Sequence, residues 1–160
     1  MRFVYESPQP YEDARIHAAA VYCSDGRIGE QIDDFLHKGL GLPRYDRVAV
    51  PGGPVCLSGR LMAFWEARGV EDQVRFLARV HGLGRVVLIA HQGCAYYAQR
   101  LGIPPDSILA AQQEDLIRAS RLVEGLAGVK AEPYLARLAG TAVRFEPLAW
   151  PGAELSPSQG

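Results

Sequence analysis

Residues 85–94 read RVVLIAHQGC, and the fold class can be inferred from this segment. The segment from Arg85 to His91 is continuously apolar between its two polar ends and is rich in β-branched residues. Such a run is typical of a central strand of a parallel sheet, which is buried on both of its faces. We therefore expect an α/β protein in which this strand ends at His91, with Cys94 three residues further on.

Apolar runs that alternate with helical patterns lie on both sides of this strand. One of these helical patterns predicts a long helix that begins after Pro104-Pro105 and runs towards Gly125. The pattern predicts a single domain over residues 1–150, with a central, mainly parallel four-stranded sheet flanked by helices, and a flexible tail over residues 151–160. The three further strands are predicted at Ile16 to Cys23, Asp46 to Val50 and Thr141 to Leu148.

The composition is that of an ordinary globular protein. Of the 160 residues, 48% are apolar and 22% charged, and 17 basic against 18 acidic side chains give a net charge of -1. This balance offers no basic surface for nucleic acid, and no apolar run approaches the roughly 20 residues that a membrane span needs. The polar, acidic N-terminal segment does not resemble a signal peptide, so we expect a cytoplasmic protein. Three cysteines fit a reducing compartment better than a disulfide framework.

Cys23, His91 and Cys94 are candidate metal ligands. Cys23 ends the first predicted strand and His91 the third, and the carboxyl ends of parallel strands share the edge of the sheet where ligands bind. His91 and Cys94 are close enough in sequence to reach one ion from a single turn. Zinc favours thiolate and imidazole ligands, and a catalytic zinc keeps three protein ligands and one open position. The sequence therefore predicts zinc (Zn2+) as the cofactor.

Asp25 and Arg27 follow Cys23 at offsets that allow their side chains to pair. A guanidinium grips a carboxylate through two hydrogen bonds and keeps it ionised. Held in this way, Asp25 could accept a hydrogen bond from a water molecule on the metal and orient it. Released from Arg27, it could instead become a fourth ligand and close the site. The alternative interpretation of the pair is a surface ion pair without a catalytic role.

The two motifs, CSDGR at 23–27 and HQGC at 91–94, resemble the CxDxR and HxxC motifs of the β-class carbonic anhydrases. The resemblance implies that Cys23, His91 and Cys94 hold zinc, and that Asp25 and Arg27 form a catalytic dyad that controls the fourth position. It also implies the reaction of that family, the reversible hydration of CO2 to bicarbonate by metal-bound hydroxide. The partners that it implies are a small-molecule substrate and a second copy of the chain, in a homodimer or a dimer of dimers.

Two departures from the family pattern keep other functions open. Ala95 stands where the family usually has a glycine, and Val50-Pro51-Gly52-Gly53-Pro54 where it usually has an Asn-Ala-Gly-like segment. A zinc-binding protein without catalytic activity is therefore one alternative. A hydrolase of CS2 or COS, as related enzymes on this scaffold are, is another.

Three residues next to the motifs, Gly52, Gly53 and Gln92, are candidates for the lining of a substrate pocket. The alternative is that they serve turn geometry alone.

Several further side chains are expected to be structural. Cys56 is predicted to be a buried free thiol, and the Phe64-Trp65 pair is predicted to lie in the core. Tyr96 and Tyr97 would wall an apolar pocket or pack in the core or a dimer interface.

Overall fold

A sheet of five strands forms the centre of the computed structural model, which describes residues 4–149. The strands are β1 (Ala18–Cys23), β2 (Asp46–Val50), β3 (Arg85–His91), β4 (Lys130–Ala139) and β5 (Ala142–Pro147). They lie in the order β2-β1-β3-β4-β5, and neighbouring strands are parallel except for β4 with β5. The predicted α/β architecture with a mainly parallel sheet is thus confirmed. The predicted tail at 151–160 lies outside the described residues.

The sheet has one strand more than the four predicted, because β4 does not have the sequence pattern of a strand. Its sequence, KAEPYLARLA, mixes polar and apolar residues and contains Pro133, which has no N–H for a ladder. The pairing of β4 with β5 begins only at Tyr134, opposite Pro147. Pro133 therefore lies just outside that pairing, where its carbonyl still accepts a hydrogen bond from Leu148 N at 2.9 Å.

Three α-helices flank the sheet in the described part of the chain. The helices are α1 (Gly29–Asp34), α2 (Phe64–Leu77) and α3 (Pro105–Ala127). α3 begins at the predicted proline and ends slightly beyond the predicted Gly125, at Gly128, whose φ of 63° terminates the helix. Single π-helical turns follow α1 at Phe35–Gly39, α2 at Ala78–Gly82 and β3 at Tyr96–Arg100, and 3-10 turns precede α2 at Gly53–Leu57 and Leu61–Ala63.

The core lies on both faces of the sheet, because successive residues of a strand point to opposite faces. On one face, Val21 of β1 shares a buried cluster with Val74 of α2 and Leu116 of α3. On the other face, Tyr22 shares a cluster with Ile32 of α1. Cys23 belongs to the first of these clusters, so it ends β1 on the side of α2 and α3.

The prediction that Phe64 and Trp65 lie in the core is wrong. Their exposed fractions are 47% and 80%, and the neighbouring Leu61 and Met62 are exposed to 85% and 58%. Their spacing matches a helix, but the buried side of α2 is formed by Val70 and Val74 instead. We call Leu61, Met62, Phe64 and Trp65 the 61–65 patch.

The turn after β2 depends on two glycines in left-handed conformations. Gly52 has a φ of 82° and Gly53 a φ of 56°. Gly53 also lies against the backbone of β1, where a Cβ would come within 2.6 Å of Tyr22 C and 2.7 Å of Cys23 N. Neither atom can move without distorting β1, so this position needs a glycine both for its φ and for lack of space.

We predict that Gly53→Ala destabilises the fold more than Gly59→Ala. Gly59 has a φ of 77°, but a Cβ added there would have no neighbour within 4 Å. Its substitution therefore measures left-handed strain alone. That strain costs about 1–2 kcal/mol, and the clash at Gly53 adds about 1–3 kcal/mol. Urea unfolding of both variants measures the difference, and equal losses of unfolding free energy would contradict the close approach to β1.

Candidate metal site

Three buried metal-ligating side chains meet at the carboxyl edge of the sheet. Cys23 is the last residue of β1 and His91 the last residue of β3, and these two strands are neighbours. Gly93, with a φ of 77°, turns the chain so that Cys94 returns to the same place. One ligand atom from each of Cys23, His91 and Cys94 lies within 4.8 Å of the others. Their exposed fractions are 7%, 4% and 3%, so water has little access to the cluster.

The spacing of the two sulfurs suits one tetrahedral ion. Cys23 Sγ and Cys94 Sγ are 3.8 Å apart. Two thiolates at the usual zinc–sulfur distance of about 2.3 Å, separated by a tetrahedral angle, lie about 3.8 Å from each other. The sulfurs are therefore already at the separation that a shared zinc ion requires.

The imidazole of His91 presents a free nitrogen to this cluster. Its Nδ1 lies 3.0 Å from the carbonyl oxygen of Gln92. Its Nε2 is buried and has no hydrogen-bond partner among the described residues. A buried polar atom without a partner is costly, and a metal ion is the partner that a nitrogen beside two cysteine sulfurs is suited to bind. The residues present thus fit a zinc ion.

Hydrogen bonds favour the ionised form of Cys23. The S–H of Cys94 lowers the pKa of Cys23 most, against the effect of burial. The His91 side chain lowers it next, and the N–H groups of Gly52, at 3.4 Å from Sγ, and Asp25 lower it further. Donation of this proton, together with burial, raises the pKa of Cys94. Both shifts favour the thiolate at Cys23, and the thiolate is the form that binds metals.

Arg27 holds the carboxylate of Asp25 beside the cluster. Its Nε lies 2.9 Å from Oδ1 and 3.1 Å from Oδ2, and its NH2 group lies 2.5 Å from Oδ2. The Arg27 backbone N–H donates to Oδ1 as well, at 3.0 Å. The Arg27 guanidinium keeps the pKa of Asp25 below its usual range. Asp25 is therefore a fixed, ionised hydrogen-bond acceptor.

A cavity of about 380 Å³ opens beside the two sulfurs. Its lining consists of Cys23, Ser24, Asp25, Pro51, Gly52, Cys94, Ala95, Tyr96, Gln99 and Arg100. Of the three pocket candidates, Gly52 lines this cavity, whereas Gly53 lies against β1 and Gln92 accepts a hydrogen bond from Leu138 N. Tyr96 also lines it, while Tyr97 is buried in the core.

Gln99 and Arg100 are lining residues that the sequence reasoning missed. Together with Tyr96 they project from the π-helical turn that follows Cys94, at a spacing of three to four residues. Arg100 and Tyr96 both donate to Glu66 Oε1, at 3.3 and 3.4 Å. A helical spacing directly after the HxxC motif was the available signal for these residues.

Cys56 lies outside the cluster of ligands and is a buried free thiol, as predicted. Its exposed fraction is 1%, and its Sγ donates to the carbonyl of Pro51 at 3.6 Å. Burial raises the pKa of Cys56 to about 11. The thiol thus stays protonated at neutral pH and stabilises the turn after β2 through its hydrogen bond to Pro51.

An ion pair anchors α3 behind the site. Asp115 is completely buried and accepts from Arg60 Nε at 2.8 and 2.7 Å. The Asp115 side chain also bonds Tyr97, three residues after Cys94. The chain segment that carries Cys94 is in this way tied to the long helix.

No helix in the described part of the chain is both long and apolar enough to cross a membrane.

A solved structure of a β-carbonic anhydrase has the same fold as this chain. β-Carbonic anhydrase isoform I from the protozoan Trichomonas vaginalis superposes with a TM-score of 0.54 and 15% sequence identity, over 91% of this chain and 90% of that one. The β-carbonic anhydrase CafA of the fungal pathogen Aspergillus fumigatus has a TM-score of 0.46 and 14% identity, over 86% and 78% of the two chains. No family model and no curated protein matches the sequence. The protein thus has a β-carbonic-anhydrase-like α/β fold that carries a cluster of possible metal ligands at Cys23, His91 and Cys94.

Proposed function

We propose that the chain binds one zinc ion through Cys23, His91 and Cys94 and hydrates CO2 reversibly to bicarbonate. The observation that carries the proposal is the buried cluster of two sulfurs and an unpartnered His91 Nε2 within 4.8 Å. The donor set favours zinc over harder ions, because thiolate and imidazole are its preferred ligands. The three cysteines of the chain are free thiols, which a reducing compartment such as the cytoplasm favours.

Zinc, when bound, supplies a Lewis acid that acidifies a water molecule towards neutral pH. Two thiolates and a neutral imidazole would balance its charge and leave one position for substrate chemistry. The 380 Å³ cavity beside the sulfurs offers space for CO2, and Pro51, Ala95 and Tyr96 give it apolar walls that suit an uncharged molecule.

Asp25 and Arg27 would control the proton at this position. The Asp25 carboxylate lines the cavity, and Arg27 fixes both of its oxygens. An ionised carboxylate in that place accepts a hydrogen bond from the reacting water and sets its orientation. Because Arg27 engages both oxygens of Asp25, we assign Asp25 as a proton acceptor in this arrangement, and it would become a fourth ligand only on leaving Arg27.

The first test combines zinc content with stopped-flow CO2 hydration. We expect about one zinc ion per chain, with hydration that is lost on chelation and restored by zinc. Cys94→Ala should lose both the metal and the activity, because one thiolate and an imidazole hold zinc poorly. Cys56→Ala is the matched control, a buried cysteine outside the cluster that should keep both. A chain that takes up no zinc would contradict the proposal at its first step.

Pro51 and Ala95 in the cavity lining keep two alternative functions open, a non-catalytic zinc protein and a hydrolase of CS2 or COS. These residues stand where the family pattern would bring an Asn side chain and a glycine. Zinc without hydration would favour a non-catalytic metal protein, and release of sulfide from CS2 or COS by the zinc-loaded chain would favour the hydrolase.

We predict that Asp25→Asn keeps zinc but lowers the rate of CO2 hydration. The amide has the same shape but is a poor proton acceptor, and such acceptors contribute about 100-fold or more to rate. Asp34→Asn is the control, since Asp34 pairs with Lys38 on the exposed surface of α1. Stopped-flow rates per bound zinc measure the effect, and an unchanged rate for Asp25→Asn would remove Asp25 from the mechanism.

We further propose that the chain forms a homodimer, or a dimer of dimers, through the 61–65 patch. Its four apolar side chains are exposed to between 47% and 85% and fall within five consecutive residues. Soluble monomers rarely expose apolar patches of this kind, which usually form the contact with a partner. Phe64 and Trp65 contact each other edge to face, with ring centroids 5.4 Å apart, and so offer a rigid aromatic surface.

Trp65→Glu is expected to convert the dimer into a monomer, because a charge at the centre of an apolar interface is left desolvated and unpaired. Light scattering after gel filtration measures the mass. Leu138→Glu, at another exposed apolar residue, on β4, should leave the dimer intact. The reverse result, dissociation by Leu138→Glu alone, would place the interface at the β4–β5 edge instead.

A further inference from the structure

At the end of β3, a side chain takes the place of a backbone bond on the side of β4. The register reaches His91 opposite Ala136, and Gln92 N donates to Ala136 O at 2.8 Å. The bonds of a parallel ladder are evenly spaced, so the next would join Leu138 N to the backbone carbonyl of Gln92. Instead, Leu138 N donates to the side-chain oxygen of Gln92 at 3.1 Å. The backbone carbonyl of Gln92 is thereby released from the ladder.

The released carbonyl fixes the imidazole of His91. Gln92 O lies 3.0 Å from His91 Nδ1. A carbonyl oxygen only accepts hydrogen bonds, so the proton of the neutral ring is on Nδ1 and the lone pair is on Nε2. Nε2 is the buried atom without a partner beside the sulfurs of Cys23 and Cys94.

On the side of β1, a second glutamine does the corresponding work. The register of β1 with β3 ends at Tyr22 opposite Ile89, and the N–H of Asp25, which would be the next donor to His91 O, instead favours the ionised sulfur of Cys23. The carbonyl of His91 therefore has no partner on β1. Gln112 of α3, with an exposed fraction of 1%, donates its Nε2 to that carbonyl at 2.7 Å.

We propose that Gln92 and Gln112 are positioning residues for the metal site. The Gln92 side chain replaces its own backbone carbonyl as acceptor for Leu138 N, and the Gln112 side chain replaces a β1 N–H as donor to His91 O, so that together they hold His91 with Nε2 towards the two sulfurs. The inference rests on the proposed zinc binding by Cys23, His91 and Cys94. Gln112 fixes the peptide that carries the ring, and Gln92 supplies the carbonyl that fixes the tautomer. Neither touches the ion or the substrate.

Gln112→Met tests the contact to His91 O, because methionine fills the same space without a donor. Loss of an outer contact of this kind costs about 10–100-fold in metal affinity. We expect that weakening in the zinc dissociation constant, measured by competition with a chromophoric chelator. Gln113→Met is the matched control, since Gln113 is the adjacent, exposed glutamine of α3 and should leave the affinity unchanged.

Two variants of Gln92 distinguish the role of its side-chain acceptor oxygen from the role of its size. Gln92→Glu keeps an oxygen that accepts from Leu138 N and should retain zinc affinity. Gln92→Leu removes the acceptor, so the backbone carbonyl returns to the ladder and His91 loses its partner. We expect about tenfold or greater weakening for Gln92→Leu alone. Equal affinities for the two variants, with Gln112→Met also unchanged, would overturn the proposal.

The ring itself gives a readout that does not depend on the variants being folded. Long-range 1H–15N spectra of the wild-type chain, freed of metal, should show His91 as the Nδ1–H tautomer. The Nε2–H tautomer would overturn the proposal whatever the affinities are. A wild-type chain with the expected tautomer that fails to bind zinc would instead contradict the proposed function and leave the positioning of the ring intact.

Discussion

The parallel pairing of β1 with β3 is the constraint on which the site depends. The pairing brings the ends of two strands together, with Tyr22 opposite Ile89. Side chains alternate between the faces of a sheet, so a slip of one residue would turn Cys23 to the side of α1, away from Cys94. The register is held because both strands are buried and apolar over almost their whole length. A shift would keep both faces of the sheet away from water, but it would disrupt the side-chain packing on each of them.

Backbone N–H groups help to stabilise negative charge on Cys23 at this edge of the sheet. Where β1 and β3 separate, the N–H groups of Asp25 and Gly52 point to Cys23 Sγ and favour its negative charge. The left-handed glycines of the turn after β2 make this approach possible, because they let the turn lie directly on β1. These backbone groups add to the larger effect of the Cys94 S–H on Cys23, and Arg27 is the nearby cation that holds Asp25.

The sequence predicted the strands that build the site and the cluster of ligands, because both are written in local patterns. β1, β2 and β3 are short apolar runs, and the two motifs follow strand ends. β4 was missed since Pro133 argues against a strand until its place in the register is known. The exposure of Trp65 was missed because helical spacing does not say which side of a helix is covered. The contact of Gln112 with His91 joins residues 21 apart in sequence, and no local pattern encodes it.

The distance along the chain between the ligands also governs how the site is assembled. His91 and Cys94 belong to one turn and are close together even in an unfolded chain, but Cys23 is 71 residues away from Cys94. It arrives only when β1 has docked on β3, a non-local step that is slow compared with helix formation. A metal ion captured early would be held by two ligands and released easily, so firm retention comes late in folding. A bound ion would then stabilise the finished sheet rather than direct its formation.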